Sequence, residues 1–366
     1  MKLTPHRRSG AFALAGALAL TLTACGSGSS AESDGTSLSG SLAAAGASSQ
    51  EKAVAGWIAG FNDSHPEVAV SYDAVGSGGG REQFLAGAVQ LAGSDAALTQ
   101  DELAVASERC EGGEAVELPL YVSPIAVVYN LPDVDAEHLQ LSAATLAKIF
   151  NRDITTWDDP AIAAENPGVT LPATGIIPVN RSDESGTTEN FTEYLEAASG
   201  GAWPHEASGD WPLSGGQSGQ GTQGVIDTVS GAKGAIGYAD ASRAGDLGTV
   251  ALKVGDGYVP FSAEAAAKVV DASPRAADAT DKRLVVELDR TTTEAGAYPL
   301  VLISYSIACS TYADQADADN VKAYLSYVAS PEGQERAADP SVAGAAPISD
   351  ALRTEVQAAI DSISAG

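Results

Sequence analysis

The stretch VAVSYDAVGSGGGREQFLAGAVQLAGSDA, residues 68–96, carries the alternation on which the fold turns. Its first six residues, Val68 to Asp73, are rich in β-branched and aromatic side chains and read as a strand. A glycine-rich loop follows at Gly76-Ser77-Gly78-Gly79-Gly80. From Glu82 to Leu91 the apolar residues Phe84, Leu85, Ala88 and Val89 return at helical spacing, and a second small loop, Ala92-Gly93-Ser94-Asp95-Ala96, closes the unit. Strand, loop and helix in this order imply an α/β fold, with parallel sheets and helices on both faces.

The pattern extends in both directions. Ala115 to Leu120 (AVELPL), Pro124 to Tyr129 (PIAVVY), Ile176 to Val179 (IIPV) and Leu300 to Ala308 (LVLISYSIA) read as strands. Gln50 to Asp63 places Ala53, Trp57, Ile58 and Phe61 on one helical face. A folded part starting near Leu38 leaves more than 300 of the 366 residues, too many for one comfortable core, which points to two lobes. In such sheets ligands sit beyond the carboxyl ends of the strands, where loops lead into helices.

Three such loops share one design. Gly46-Ala47-Ser48-Ser49-Gln50, Gly76 to Gly80, and Arg181-Ser182-Asp183-Glu184-Ser185-Gly186-Thr187 each place free backbone N–H groups and a hydroxyl at the positive end of a helix dipole, the natural anion site of the backbone. A single loop of this kind serves equally well as an N-cap or a turn. The third adds Arg181, whose guanidinium forks onto oxyanions, with Asp183 placed to orient it; a surface ion pair is the plainer reading of those two residues. Asp95 would repel an anion, unless that anion carries a proton to donate. Phosphate does so near neutral pH and sulfate does not; read alone, Asp95 is equally a turn residue or an N-cap.

The chain carries 20 Lys and Arg against 48 Asp and Glu, a formal net charge of −28. Nucleic acid is therefore excluded as a natural partner, and an anionic ligand must be held by short-range hydrogen bonds rather than by long-range steering. Lys2, Arg7 and Arg8 precede an apolar run, Ala11 to Leu22, the layout of a secretory signal and too short to span a bilayer. Leu22-Thr23-Ala24-Cys25 resembles the lipobox of bacterial lipoproteins. That resemblance implies cleavage of residues 1–24, a diacylglyceryl and palmitate anchor on Cys25, and a mature protein on the outer face of the plasma membrane. Residues 25–37 then form a flexible tether. Cys110 and Cys309 remain, either as one disulfide or as two buried thiols; an exported chain favours the disulfide, worth somewhat over ~4 kcal/mol by chain entropy.

GASS (46–49), VGSGGG (75–80), AGSDAALT (92–99), IFNRDITTWDDPAI (149–162), IPVNRSDESGTT (177–188), GAIGYAD (234–240) and AYPL (297–300) follow one another in a specific order. In this the chain resembles the phosphate-binding proteins of bacterial high-affinity phosphate ABC transporters, over nearly its whole mature length. The resemblance implies a two-lobed periplasmic-binding-protein fold of type II, with two crossings between lobes near Val122–Val127 and Tyr298–Ile303. Residues 38–124 with 300–366 would form the first lobe, 125–299 the second. It implies phosphate contacts from Ser48, Ser49, Ser77, Asp95, Arg181, Ser185, Gly186 and Thr187, with Asp183 holding Arg181, no cofactor, and delivery by a monomer to membrane permease and ATPase subunits. Ser48 and Ser49 stand where the family often has Thr and Phe, so an aromatic wall is expected to be missing. The rival class is a secreted phosphatase; His65, His138 and His205 lack metal-ligand spacing, and neither a GxSxG elbow nor a Walker-type loop occurs.

Overall fold

The computed structural model describes residues 38–366; the signal segment 1–24, the tether 25–37 and Cys25 lie outside the described residues. The chain opens with β1 (Gly40–Gly46), α1 (Glu51–Ser64), β2 (Val68–Asp73), α2 (Ser77–Leu85), β3 (Leu91–Ser94), α3 (Gln100–Arg109) and β4 (Ala115–Tyr129). It continues through β5 (Leu139–Leu141), α4 (Ala143–Phe150), α5 (Pro160–Glu165), β6 (Ile177–Arg181), α6 (Gly186–Ala198), β7 (Gln217–Gly219), α7 (Gly221–Gly231), β8 (Ala235–Asp240), β9 (Gly248–Val254), β10 (Gly257–Val259) and α8 (Ala263–Ala272). It ends in β11 (Val301–Cys309), β12 (Thr311–Tyr312), α9 (Gln315–Ala329), α10 (Pro331–Ala338), α11 (Asp350–Asp361) and β13 (Ser364–Ala365).

One sheet runs in the order β2-β1-β3-β11-β4-β8-β6-β7, with β9, β10 and β5 branching from β4. It is mixed rather than parallel: β1 is parallel to β2 and β3, and β6 to β7 and β8, but β11 and β4 run against their neighbours. The join between the two halves is covalent. β4 pairs with β11 up to Pro124, opposite Val301, and with β8 from Ile125, opposite Asp240. The two chain segments touch at that point, where Ile125 N donates to Leu300 O at 2.9 Å and Tyr298 Oη donates to Ile125 O at 2.9 Å.

Two sequence expectations are corrected. Residues 115–129 form one strand of 15 residues, buried throughout, not two. Pro119 and Pro124 suggested a break because proline cannot donate to a ladder. Pro119 faces Tyr305, where the register slips by a bulge, and Pro124 sits where the strand changes partner, so neither interrupts the run. The helix expected over 82–91 occupies Ser77–Leu85 instead, starting inside the glycine-rich loop, and Leu91 already belongs to β3. The glycines serve close approach: a Cβ on Gly80 would stand 2.4 Å from the Cα of Gly46. Apart from these corrections, the chain before β11 reaches back to the first half of β4, with Leu284 N donating to Glu117 O and Glu117 N to Lys282 O, both at 2.9 Å. The buried Glu117 carboxylate pairs with Arg283 at the same place.

Cys110 and Cys309 are joined, with Cα atoms 5.1 Å apart and 199 residues of separation. Both are fully buried beside the end of β11. Replacing both with serine is expected to lower stability by about 4–5 kcal/mol on the chain-entropy account, read as a shift of the denaturant midpoint. An unchanged midpoint would show that the crosslink constrains little of the unfolded chain. Among the described residues no helix is long and apolar enough to cross a membrane.

Candidate anion site

Helix N-termini from both halves of the sheet converge on one buried spot. β1 ends at Gly46 before α1, β3 ends at Ser94 before the Asp95 loop, and β6 ends at Arg181 before α6. Ligand-binding loops in α/β sheets occupy this position, beyond the carboxyl ends of strands. Ser185 caps α6, its Oγ accepting from Thr188 N at 3.2 Å. The first amides of the helix, Gly186 and Thr187, have no acceptor within it. Gly186 is required by contact rather than by backbone angle, since a Cβ there would meet Asp95 Cβ at 2.7 Å and Ser77 Oγ at 2.8 Å.

Asp95 lies at the centre and is 4 % exposed. Its Oδ1 accepts from Ser49 Oγ at 2.7 Å and its Oδ2 from Thr187 Oγ1 at 2.8 Å, while its own N–H donates to Ser77 Oγ at 3.1 Å. Burial pushes the Asp95 carboxyl up from its ordinary range, against the opposing pull of the Ser49, Thr187 and Ser304 hydroxyls and the Arg181 charge. A carboxyl so placed is disposed to share a proton.

Arg181, 3 % exposed, lies flat against Asp183, with Nε donating to Oδ1 at 2.9 Å and Nη2 to Oδ2 at 2.5 Å. Burial raises the Asp183 carboxyl, but the Arg181 bonds and charge outweigh it and hold it below its usual range. Asp183 therefore stays charged and fixes the plane of the guanidinium. Its Oδ1 also takes Gly221 N at 3.0 Å, which ties Arg181 to the start of α7. There Thr222 N donates to Ser48 Oγ at 2.9 Å, and the two hydroxyls lie 3.0 Å apart. All eight residues singled out in the sequence thus fall into one connected cluster, with Asp183 beside Arg181.

Three further groups escaped the sequence reading. Gly221 and Thr222 form a fourth helix start, signalled by the small-residue run SGQGT at 218–222 that precedes an apolar helix. Tyr238 takes Arg181 N at 3.4 Å and shares 2.8 Å with Thr188 Oγ1 while stacking on Phe191; burial pushes its hydroxyl up to about 12. Ser49, which stands where the family often has an aromatic, turns its hydroxyl to Asp95 instead. One turn into α6, Glu189 is raised to about 7 by burial and by Glu193.

The comparisons agree with one another. A profile of the PBP superfamily domain matches residues 30–332. Phosphate-binding protein PstS 3 of Mycobacterium tuberculosis is 35% identical over 327 residues, covering 88% of this chain and 86% of that protein. Phosphate-binding protein PstS 2 of the same organism is 34% identical over 329 residues, covering 88% and 87%. Among solved structures, the periplasmic phosphate-binding protein PfluDING bound with phosphate at pH 8.5 superposes with a TM-score of 0.71 at 20% identity, covering 87% of this chain and 93% of its own. With three loops from one half of the sheet and two from the other meeting around Asp95 and Arg181, and with these relatives along almost its full length, the chain belongs to the PBP superfamily and, within it, to the PstS family of phosphate-binding proteins.

Proposed function

We propose that this chain binds inorganic phosphate between two lobes, selects it over sulfate, and delivers it to the permease and ATPase subunits of an ABC-type importer. Residues 38–124 with 300–366 form the first lobe and 125–299 the second; the partner change of β4 at Pro124 and Ile125 supports this division. The observation that carries the proposal is the meeting of Arg181 and Asp95, both buried, at convergent helix starts. Arg181 and the amides of Ser48, Ser49, Gly186 and Thr187 supply donors for oxyanion oxygens. Asp95 supplies an acceptor, which only an oxyanion carrying a proton can satisfy. Ser48, Ser49, Ser77 and Asp95 come from the first lobe and Arg181, Ser185, Gly186 and Thr187 from the second, so that closure assembles the site. The protein acts as a monomer, lipid-anchored through Cys25 on the outer face of the plasma membrane, a reading that the lipobox-like motif supports for the anchor.

Calorimetric titration of the chain from Leu38 onward, stripped of anion, tests the proposal with phosphate and then sulfate at matched ionic strength. Tight one-to-one phosphate binding without a sulfate response is expected. Equal sulfate binding would remove the role given to Asp95, and silence to both ions would overturn the proposed ligand.

A further inference from the structure

Behind Asp95, away from Arg181, a second polar network joins segments far apart in sequence. Asn190, on the second turn of α6 and 5 % exposed, donates through Nδ2 to Asp95 O and to Gly186 O, both at 2.8 Å. Its Oδ1 accepts from Arg290 Nη2. The amide orientation follows from these partners, since the oxygen faces a guanidinium and the nitrogen faces two carbonyls. Arg290 is 6 % exposed and is itself fixed at the second crossing, where Nη1 donates to Val301 O at 2.6 Å and to Pro299 O at 3.2 Å. Its Nη2 also reaches Glu193 Oε2 at 2.8 Å.

We infer that Asn190 is a positioning residue that clasps the Asp95 loop to α6 in the closed protein, with Arg290 anchoring the clasp to the crossing. The inference rests on the phosphate reading given above. Its geometry is that of a polar bridge added to the close contact of Gly186 with Asp95. A cleft of about 650 Å³ lies against this side of Asp95, Asn190 and Arg290, so beyond the contact at Gly186 the loop is held to the helix here by the Asn190 amide. The Asn190 amide holds two carbonyls that belong to opposite sides of the anion site: Asp95, whose side chain would take the ligand proton, and Gly186, whose N–H lies in the first turn of α6. Fixing both at once sets the distance between acceptor and donors. On the lobe division proposed above, the bond to Asp95 crosses between lobes, so that opening must break it. Its loss therefore acts on opening, which governs release, and leaves the encounter with the ion unaltered.

The test uses two variants of the lipid-free mature chain, Asn190→Ala and Asn190→Asp. The second keeps an oxygen for Arg290 but has no N–H for Asp95 O, which separates the clasp from support of the Arg290 anchor. Release of radiolabelled phosphate into excess unlabelled phosphate is expected to be roughly tenfold or more faster in both variants, the worth of one or two net hydrogen bonds, with the association rate within about twofold of the parent. Small-angle scattering at saturating phosphate should show a larger open fraction in each. Release at the parent rate in Asn190→Asp would overturn the clasp. If Asn190→Ala fails to fold, the Asp variant alone decides. A parent chain that retains no phosphate would instead remove the proposed function, and the clasp with it.

Discussion

Replacing Arg181 with alanine weakens phosphate binding by about 2–5 kcal/mol, between roughly thirtyfold and a few thousandfold in calorimetric titration. The size of the effect comes from burial on both sides of the change. In the parent, a cation that is 3 % exposed is held bidentate by Asp183, so its geometry is set before any ion arrives. In the variant, the amides of the helix starts remain but their partial charges have no full charge behind them. Asp183 is also left as an unpaired carboxylate close to the anion, a repulsion that the parent cancels. Arg181→Lys is expected to fall between the two, because a point charge cannot engage both Asp183 oxygens and a ligand in one plane. Unchanged affinity in the alanine variant would place the anion elsewhere.

Asp95→Asn narrows the preference for phosphate over sulfate. The carboxylate leaves sulfate facing an acceptor with nothing to donate, a penalty of about 4 kcal/mol that corresponds to roughly a thousandfold. An amide can donate to either ion, so sulfate gains while phosphate loses its proton acceptor, and the ratio of the two affinities should fall by at least about tenfold. The protonation of Asp95 adds a pH signature. Burial raises its pKa, so its neutral form is reached at higher pH than for an exposed aspartate, and that form can donate to sulfate. Sulfate affinity of the parent should thus rise as pH falls through this titration, and the asparagine variant should lack the rise. Retained discrimination in the variant would move selectivity to other groups.

The sequence made the site easier to read than the sheet that carries it. Hydroxyl-rich loops before helices are local signals, because a helix start and its orphan amides are fixed by a few consecutive residues. Arg181, Asp183 and Ser185 could be assigned roles on that basis, and the structure brings them to the other loops. Sheet order is not local. β1 and β3 are built of Ala, Gly and Ser around one Leu each, with none of the β-branched signal that marks a strand, and they escaped notice. β4 was read as two pieces because its prolines are tolerated only through a bulge at Leu120 and a change of partner, both of which depend on pairing with other strands. Asn190 gave no signal at all: inside an amphipathic helix it looks like a surface residue, and only its meeting with Arg290, 100 positions away, shows otherwise.

The insertion of β11 between β3 and β4 fixes the order in which the molecule can be completed. Residues 301–309 come late in the chain, so a growing polypeptide holds two unpaired strand edges, and Cys110 a free thiol, until nearly all of it has been made. The strands between the crossings have no such dependence on β11, since β6, β7 and β8 pair with one another and β8 and β9 with the far half of β4. Maturation is therefore expected to proceed inside out, the inserted half first. The first half would then close when its C-terminal strand arrives, and the cysteines would be oxidised last.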